Sequence, residues 1–419
     1  MADGAKKRYE VAVIGGGASG LFAAAMAADE AEKAGAPVNV TVYEGNARVG
    51  KKLLVTGNGR CNLTNEKMGE EYYRGAAALF ETVYRQFDRE AMLAFFEDAG
   101  LYTRSDFAGR VYPMSNQASS VLDALRNVCA ERGVKEITSC KITSLKQHGA
   151  GFLLNDTFYA DRAIIATGGK AAPVHGSDGG GYALLEPFGV MVTPLFPALT
   201  PLNVKDFTKA LKGIRATGKI TLKSAGKLLA EAAGEIQYTD YGLSGIPAMQ
   251  VSRFAAQRLS VGGEVSAFVD SAPDIPAEEL TQRLLTIRKN HPAMTAENLL
   301  AGFLPKRLGT VLIGFCSLSP AKEVGALHEN ALAKIVNAVK RTKYTVSSVR
   351  GFADAQVTAG GVAENEIDAA TMELKKAKGL YVCGELVDVD GDCGGYNLQW
   401  AFSGGAVAGQ SAVRSLAIR

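Results

Sequence analysis

Glycines 15, 17 and 20 lie between the apolar run Tyr9–Ile14 and the Ala-rich segment Ser19–Lys33, forming a GxGxxG turn between an expected strand and an expected helix. Gly15 permits the tight turn, Gly17 lets a pyrophosphate approach the backbone, and Gly20 packs helix against strand. The amides of Ala18 and Ser19 open a helix whose N-terminus faces the phosphates. Glu44 closes a second β-branched run, Val38–Tyr43, at the distance past Gly20 where an acceptor for ribose hydroxyls belongs. A turn needed only for packing accounts for Gly20 but not for Glu44.

Further glycine-rich segments recur at Gly45–Lys52 (with Arg48 and Lys52 as cations), Thr56–Asn62, Ala166–Gly169 through Thr167 and Gly168, and Gly384–Asn397. A ligand longer than NAD needs this many loops, so FAD is the expected cofactor. In Thr56-Gly57-Asn58-Gly59-Arg60-Cys61-Asn62 the glycines permit close backbone approach, while Asn58, Arg60 and Asn62 supply donors for a ring system or a phosphate. The segment reads as a flavin-facing loop. Cys61 raises the question of redox-thiol chemistry, but such chemistry uses a pair of cysteines and none lies nearby in sequence; a buried small side chain is expected.

The closing segment runs from a strand through Gly384, Glu385 and an acidic loop to Gly394, Gly395 and a helix start at Asn397 and Leu398. A helix N-terminus aimed at a flavin stabilises the negative charge of its reduced form, and Glu385 would accept from a ribityl hydroxyl. Asp388, Asp390 and Asp392 lack the spaced oxygen ligands of a calcium loop, and four histidines are too few for a His-built centre, so no metal is expected. Asp178-Gly179-Gly180-Gly181 lacks a preceding strand and reads as a loop, leaving no separate nicotinamide-binding domain.

The elements that must position these residues follow from periodicity. The 419 residues, 47% hydrophobic and 21% charged, exceed one ordinary core. Helical spacing marks 88–100 and 117–132; strands are expected over 137–145, 151–154 and 162–166. From 194 the pattern shifts to short alternating strands (219–223, 235–239, 265–269), then to helices between 276 and 340, and returns to parallel-sheet grammar at 379–383 with a helix from about 397 to 416. The expected organisation is an α/β Rossmann domain in two parts, 1–193 and 346–419, with a β-rich insert at 194–275 and a helical one at 276–345.

A net charge of +3 gives no field that implies nucleic acid or an anionic membrane. Gly15, Gly16, Gly17 and Gly20 interrupt the apolar stretch Val11–Ala28, so no membrane span is expected, and no signal peptide is visible. Six scattered cysteines without a CxxC suit free thiols in a reducing cytoplasm. The expected partner is a small-molecule substrate.

At this point the chain resembles the bacterial BaiN/RdsA (YhiN-type) flavoproteins, a group that includes enzymes described as aminoacetone oxidases. The resemblance covers nearly the whole length. It rests on Val13–Gly20, Gly57–Asn62, Gly109-Arg110-Val111-Tyr112-Pro113, Tyr241-Gly242-Leu243-Ser244-Gly245 and Gly391–Gln399. It implies a glutathione-reductase-like FAD domain, an inserted barrel-like domain and a small helical domain. It further implies that Ile142 offers backbone contacts to adenine and that Gly395, Tyr396, Asn397 and Leu398 lie by the flavin ring. Where relatives often carry His before the Tyr-Gly-Leu-Ser-Gly run, this chain has Asp240, which puts a shared acid-base role there in doubt.

The resemblance implies NAD(P)H-dependent reduction of the conjugated double bond of a 3-oxo steroid or bile-acid-like enone, or oxidation of a small amine such as aminoacetone with release of hydrogen peroxide. A flavin-binding redox sensor is the alternative from another class, and a tRNA-modifying flavoprotein stands on fold analogy alone, with no basic run to support it. Enone reduction needs a proton donor and a group that polarises the ketone; Tyr396, Tyr241 and Arg60 have suitable chemistry. For either tyrosine the competing reading is ring packing with a hydroxyl bonded to water or backbone.

Overall fold

A computed structural model describes residues 8–416. The chain divides into two compact units, one made of residues up to Phe196 together with those from Val357 onward, the other spanning Pro197–Gln356.

The first unit is built on a five-stranded parallel sheet in the order Leu380–Val382, Arg162–Ile165, Tyr9–Ile14, Val38–Tyr43, Lys135–Ile137. Val11, Ala12, Val13 and Ile14 are all buried, as are Ala163, Ile164 and Ile165. Continuous apolar runs of this kind belong to strands covered on both faces. The helix Ala18–Lys33 follows the first strand, and the helix Tyr396–Arg414 packs along it.

Two glycines of the last helix set that packing. A Cβ on Gly405 would lie 2.5 Å from the Ser19 carbonyl oxygen, and one on Gly409 would lie 2.2 Å from that of Ala23. The two helices therefore meet backbone to backbone, and any side chain at either position forces them apart. Phe22, from the first helix, is ringed by Phe87, Phe95 and Phe402 with centroids 4.5 to 5.4 Å away.

The strand expected over 137–145 ends at Ile137. Ser139 takes φ +52°, and the N–H groups of Ser139 and Cys140 donate to the carbonyls of Asn46 and Glu44, both at 2.8 Å. The chain thus wraps the end of the Val38–Tyr43 strand, because those carbonyls offer partners that a straight extension would leave unused. Leu145–His148 pairs instead with Gly151–Leu154 in a separate antiparallel sheet.

The second unit contains a closed barrel in the order Leu202–Val204, Gly242–Gly245, Lys227–Tyr238, Arg215–Ser224, Val265–Asp270, Thr342–Val349. Strict inside-outside alternation along Val265–Asp270, with Val265, Ala267 and Val269 buried, fits a closed sheet with one filled interior. The helices Ala277–Asn290, Lys306–Phe315 and Glu329–Arg341 intervene before the closing strand. Their apolar residues Leu280, Leu284, Leu312, Leu332, Ile335 and Val339 join the barrel residues in one hydrophobic cluster. Against the bounds 194 and 345 read from the sequence, this unit runs to Gln356, because Thr342–Val349 pairs with both Val265–Asp270 and Leu202–Val204.

Among the described residues no helix is long and apolar enough to cross a membrane, and no group of three or more His, Cys, Asp or Glu is placed to hold a metal ion.

Candidate cofactor and active site

Parallel strands bring their carboxyl ends to one edge of the sheet, and each of the five strands of the first unit's parallel sheet carries a sequence-selected segment there. Tyr9–Ile14 leads into Gly15–Gly20, Val38–Tyr43 into Glu44–Lys52, Lys135–Ile137 toward Ile142, Arg162–Ile165 into Ala166–Gly168, and Leu380–Val382 into Gly384–Glu385.

The glycine turn divides into packed and open positions. A Cβ at Gly15 would stand 2.6 Å from the Ala166 carbonyl oxygen, and one at Gly20 only 1.8 Å from that of Gly15. At Gly17 the same atom meets nothing within 4 Å. Protein packing therefore explains Gly15 and Gly20 but places no demand on Gly17, whose open side fits a ligand backbone. The helix that follows has Gly17 as its cap, no side-chain cap and no acidic residue in its first turn, leaving its leading amides for an anion.

Glu44 is held from two sides. Its Oε2 accepts from the Gly16 N–H at 2.8 Å, and its Oε1 accepts from the backbone and side-chain nitrogens of Asn46 at 2.7 and 2.6 Å. Oε2 keeps a lone pair for a ribose hydroxyl, while Oε1 is filled by Asn46. Gly45 borders Lys141, whose Cβ would lie 3.3 Å from a Cβ on the glycine, and the adjacent Ile142 is buried. Arg48 is exposed. The hydroxyl of Ser19 lies against Gly384 and bonds to the thiol of Cys383, tying the helix start to the last strand.

Glu385 is more heavily engaged than a ribityl acceptor alone requires. Its Oε2 pairs with Lys52 Nζ at 2.6 Å, and its Oε1 accepts from the N–H and the hydroxyl of Thr358 at 3.0 and 2.9 Å. The Thr358 hydroxyl oxygen in turn accepts from the amides of Lys170 and Ala171. One carboxylate thus ties together the Gly45–Lys52 loop, the Ala166–Gly169 turn and the Thr358–Gly361 segment. Sequence reading passed over Thr358; the pair Gly360-Gly361 after it was the available signal, since both adopt positive φ and crowd against Pro194 and Leu386.

The loop 56–62 is strongly bent. Gly57 and Asn58 both take φ +56°, Gly59 takes +79° and Cys61 +58°. Asn58, Gly59 and Arg60 are exposed; Arg60 donates to the Gly57 carbonyl at 3.3 Å and places its guanidinium 4.8 Å from the centre of the Tyr112 ring. The Asn62 Oδ1 is buried with no hydrogen-bond partner in the protein, an acceptor that a donor on a bound ligand would satisfy. Cys61 is fully buried, and burial pushes its thiol up to about 12. A thiol so far from ionisation is a packing residue.

The closing loop is pinned from within. Asn397 Oδ1 accepts from the Gly391 N–H at 2.8 Å and Asn397 Nδ2 donates back to the Gly391 carbonyl at 2.8 Å. Asn65 donates to the Gly394 carbonyl at 2.9 Å, and the Tyr73 hydroxyl to that of Tyr396 at 2.8 Å. Gly395, at φ +105°, has the Thr64 carbonyl oxygen 2.3 Å from where its Cβ would stand, so only glycine fits. The last helix starts here without a side-chain cap or an acidic first turn. Its start is therefore a second set of open amides, with Leu398 half-buried beside it.

Tyr396 is buried and stacks on Tyr72 at 4.7 Å with a 13° tilt between the rings. Burial, reinforced by Tyr72 and Asp392, raises its hydroxyl well above the usual phenol range, so it keeps its proton. Its hydroxyl makes no hydrogen bond to the described protein. Tyr182, not selected from sequence, has a buried hydroxyl without a partner, raised by burial and by the Glu385 and Asp388 charges. Tyr241 belongs to the second unit, where it lies under the Arg350 guanidinium at 4.8 Å. Asp240 beside it is exposed and paired with Lys212 at 2.8 Å; that bond lowers its carboxyl, which leaves no proton to donate at neutral pH.

The site fits an elongated anionic ligand with a ring at one end, which agrees with FAD: open amides at the glycine turn, a seated ribose acceptor at Glu44, an unpartnered acceptor at Asn62 and a second helix start at Gly395. The HI0933-like protein Rossmann domain matches residues 9–411. The chain is 40% identical over 408 residues to a 3-dehydro-bile acid delta(4,6)-reductase of Clostridium scindens, covering 96% of this chain and 98% of that protein. It is 28% identical to a ribosomal RNA dihydrouridine synthase of Escherichia coli, over 95% of this chain and 96% of the other. A solved 3-ketosteroid delta1-dehydrogenase of Sterolibacterium denitrificans aligns over 98% of this chain and 100% of its own, with 14% identity and a TM-score of 0.47. The chain belongs to the HI0933-like Rossmann family and is an FAD-dependent oxidoreductase.

Proposed function

We propose that the chain is a reductase that uses NAD(P)H to saturate a carbon–carbon double bond conjugated to a carbonyl, with a 3-oxo steroid or bile-acid-like enone as substrate. The reaction balances as enone plus NAD(P)H plus a proton giving the saturated ketone and NAD(P)+. The observation that carries the reading is the 40% identity, end to end, with a protein named as a reductase of such a bond.

Bound FAD supplies the hydride chemistry. The chain's own residues orient the reactants and handle the proton. Tyr396 keeps its O–H at neutral pH at the start of the last helix, which suits it to give a proton to the substrate carbon. Arg60, exposed and held over Tyr112, has donors left for the ketone oxygen.

A second reading keeps the chemistry and changes the carrier. The uracil base of uridine has a C5–C6 double bond conjugated to its C4 carbonyl, and saturating it gives dihydrouridine. The charge distribution favours an RNA carrier: residues 197–356 hold 20 Lys and Arg against 13 Asp and Glu, an excess that the +3 of the whole chain conceals. Purified protein given NADPH with either a 3-oxo bile acid or uridine-containing RNA tests both. Gain of two hydrogens by the steroid supports the first reading, gain by RNA the second, and neither product refutes the proposal.

A further inference from the structure

The outer face of the barrel carries a cationic group that the site above does not use. Phe268 is half-buried and points outward from the Val265–Asp270 strand. The Arg341 guanidinium lies 5.0 Å from its ring centre and the Lys223 ammonium 5.9 Å away. Lys343 sits directly across the ladder from Phe268, with Thr221 opposite on the other side. Lys223, Arg341 and Lys343 form no ion pair among the described residues. The charges at the margins are neutralised instead: Lys219 pairs with Glu231 at 2.8 Å and Asp270 with Lys340 at 2.7 Å. Glu264, exposed just before the same strand, is four residues from Phe268, and Asp270, two residues away, is taken up by Lys340.

Three unpaired cations around one ring on a sheet face are costly in self-repulsion unless an anion visits them. The ring holds two of them by cation–π attraction, which reduces the side-chain freedom lost when an anion binds. Small polar neighbours, Thr221, Ser266 and Thr345, keep the surface between them low. This combination fits phosphates spaced along a strand.

We propose that this face, formed by Arg215–Ser224, Val265–Asp270 and Thr342–Val349, docks the phosphate backbone of single-stranded RNA; the proposal rests on the uridine form of the reading above. Lys223, Arg341 and Lys343 each neutralise a phosphate, and Phe268 holds the cations in place.

Fluorescence anisotropy of a labelled oligouridine against salt concentration tests it, using the flavin-loaded full chain. The expected result for the triple variant K223A/R341A/K343A is at least a roughly tenfold loss of affinity, with the slope of log affinity against log salt smaller by about 2, or about 0.7 for each phosphate no longer neutralised. The variant K223R/K343R, which keeps the charge, should bind as the unaltered protein does. Flavin content and the rate at which NADPH bleaches the flavin should stay unchanged in the triple variant, which separates loss of docking from damage to the site. Equal affinity and slope in the triple variant, or equal binding of polyglutamate, overturns the proposal. RNA bound with the expected slope yet never reduced supports the surface and sinks the uridine reading alone.

Discussion

Lys52 and Glu385 are joined by a 2.6 Å bond between Nζ and Oε2 across 333 residues of sequence. Both side chains are less than a quarter exposed. The pair closes the loop after the second strand onto the loop after the last one, and through Thr358 it reaches the Ala166–Gly169 turn as well.

Replacing one partner strands the other. Glu385→Gln and Lys52→Met should each cost about 1–3 kcal/mol of stability, and the double variant should cost less than their sum, because it leaves no lone charge in a partly buried place. Urea unfolding of the four proteins without flavin gives the coupling. Additive losses would mean that the pair does not act as a unit.

Gly17 and Gly20 should separate ligand constraints from packing constraints. Gly17→Ala meets open space and should leave the stability of the flavin-free protein within about 0.5 kcal/mol while weakening FAD retention. Gly20→Ala collides with the Gly15 carbonyl and should cost at least about 2 kcal/mol even without flavin. Thermal unfolding of both, with and without FAD, checks the distinction.

These two glycines also show what the sequence discloses. The spacing of Gly15, Gly17, Gly20 and Glu44 made the dinucleotide site legible because each serves the turn or the strand next to it. Thr358 was invisible because its partners, Glu385 and the amides of Lys170 and Ala171, come together only when separate strands align. The barrel was partly legible: Val265–Val269 alternates, but Thr342–Val349 follows directly on the helix Glu329–Arg341, and the boundary expected at 345 divided it between the helical insert and the returning Rossmann domain. The strand expected to run to Leu145 failed because its apolar residues serve two different sheets, and the left-handed Ser139 between them leaves no trace in periodicity.

The buried thiols predict an alkaline limit. Cys61, Cys129 and Cys383 are each pushed up by burial to about 12, from an ordinary value of 9.0. A group raised on folding contributes stability that is present below its unfolded value and lost as pH climbs toward the folded one. Stability should therefore hold to about pH 9 and fall between about 9 and 12, read as the urea midpoint at stepped pH. Thiol-labelling of the native protein at pH 8 should leave Cys61 unmodified; rapid labelling would revive a redox role for it.

Tyr396→Phe keeps the ring on Tyr72 and removes only the hydroxyl. The turnover of the conjugated substrate should fall about 10²–10⁴-fold with the flavin spectrum and stability unchanged. An unaltered rate would assign the proton to another donor, with Tyr241→Phe the next variant to measure.

The central claim is tested most directly by anaerobic titration of the flavin-loaded protein, followed by its visible absorption. NADH or NADPH should bleach the oxidised flavin promptly, and adding the conjugated 3-oxo steroid or the uridine-containing RNA without oxygen should restore it. A flavin that neither nicotinamide bleaches, in a protein that makes peroxide from aminoacetone in air, would contradict the account.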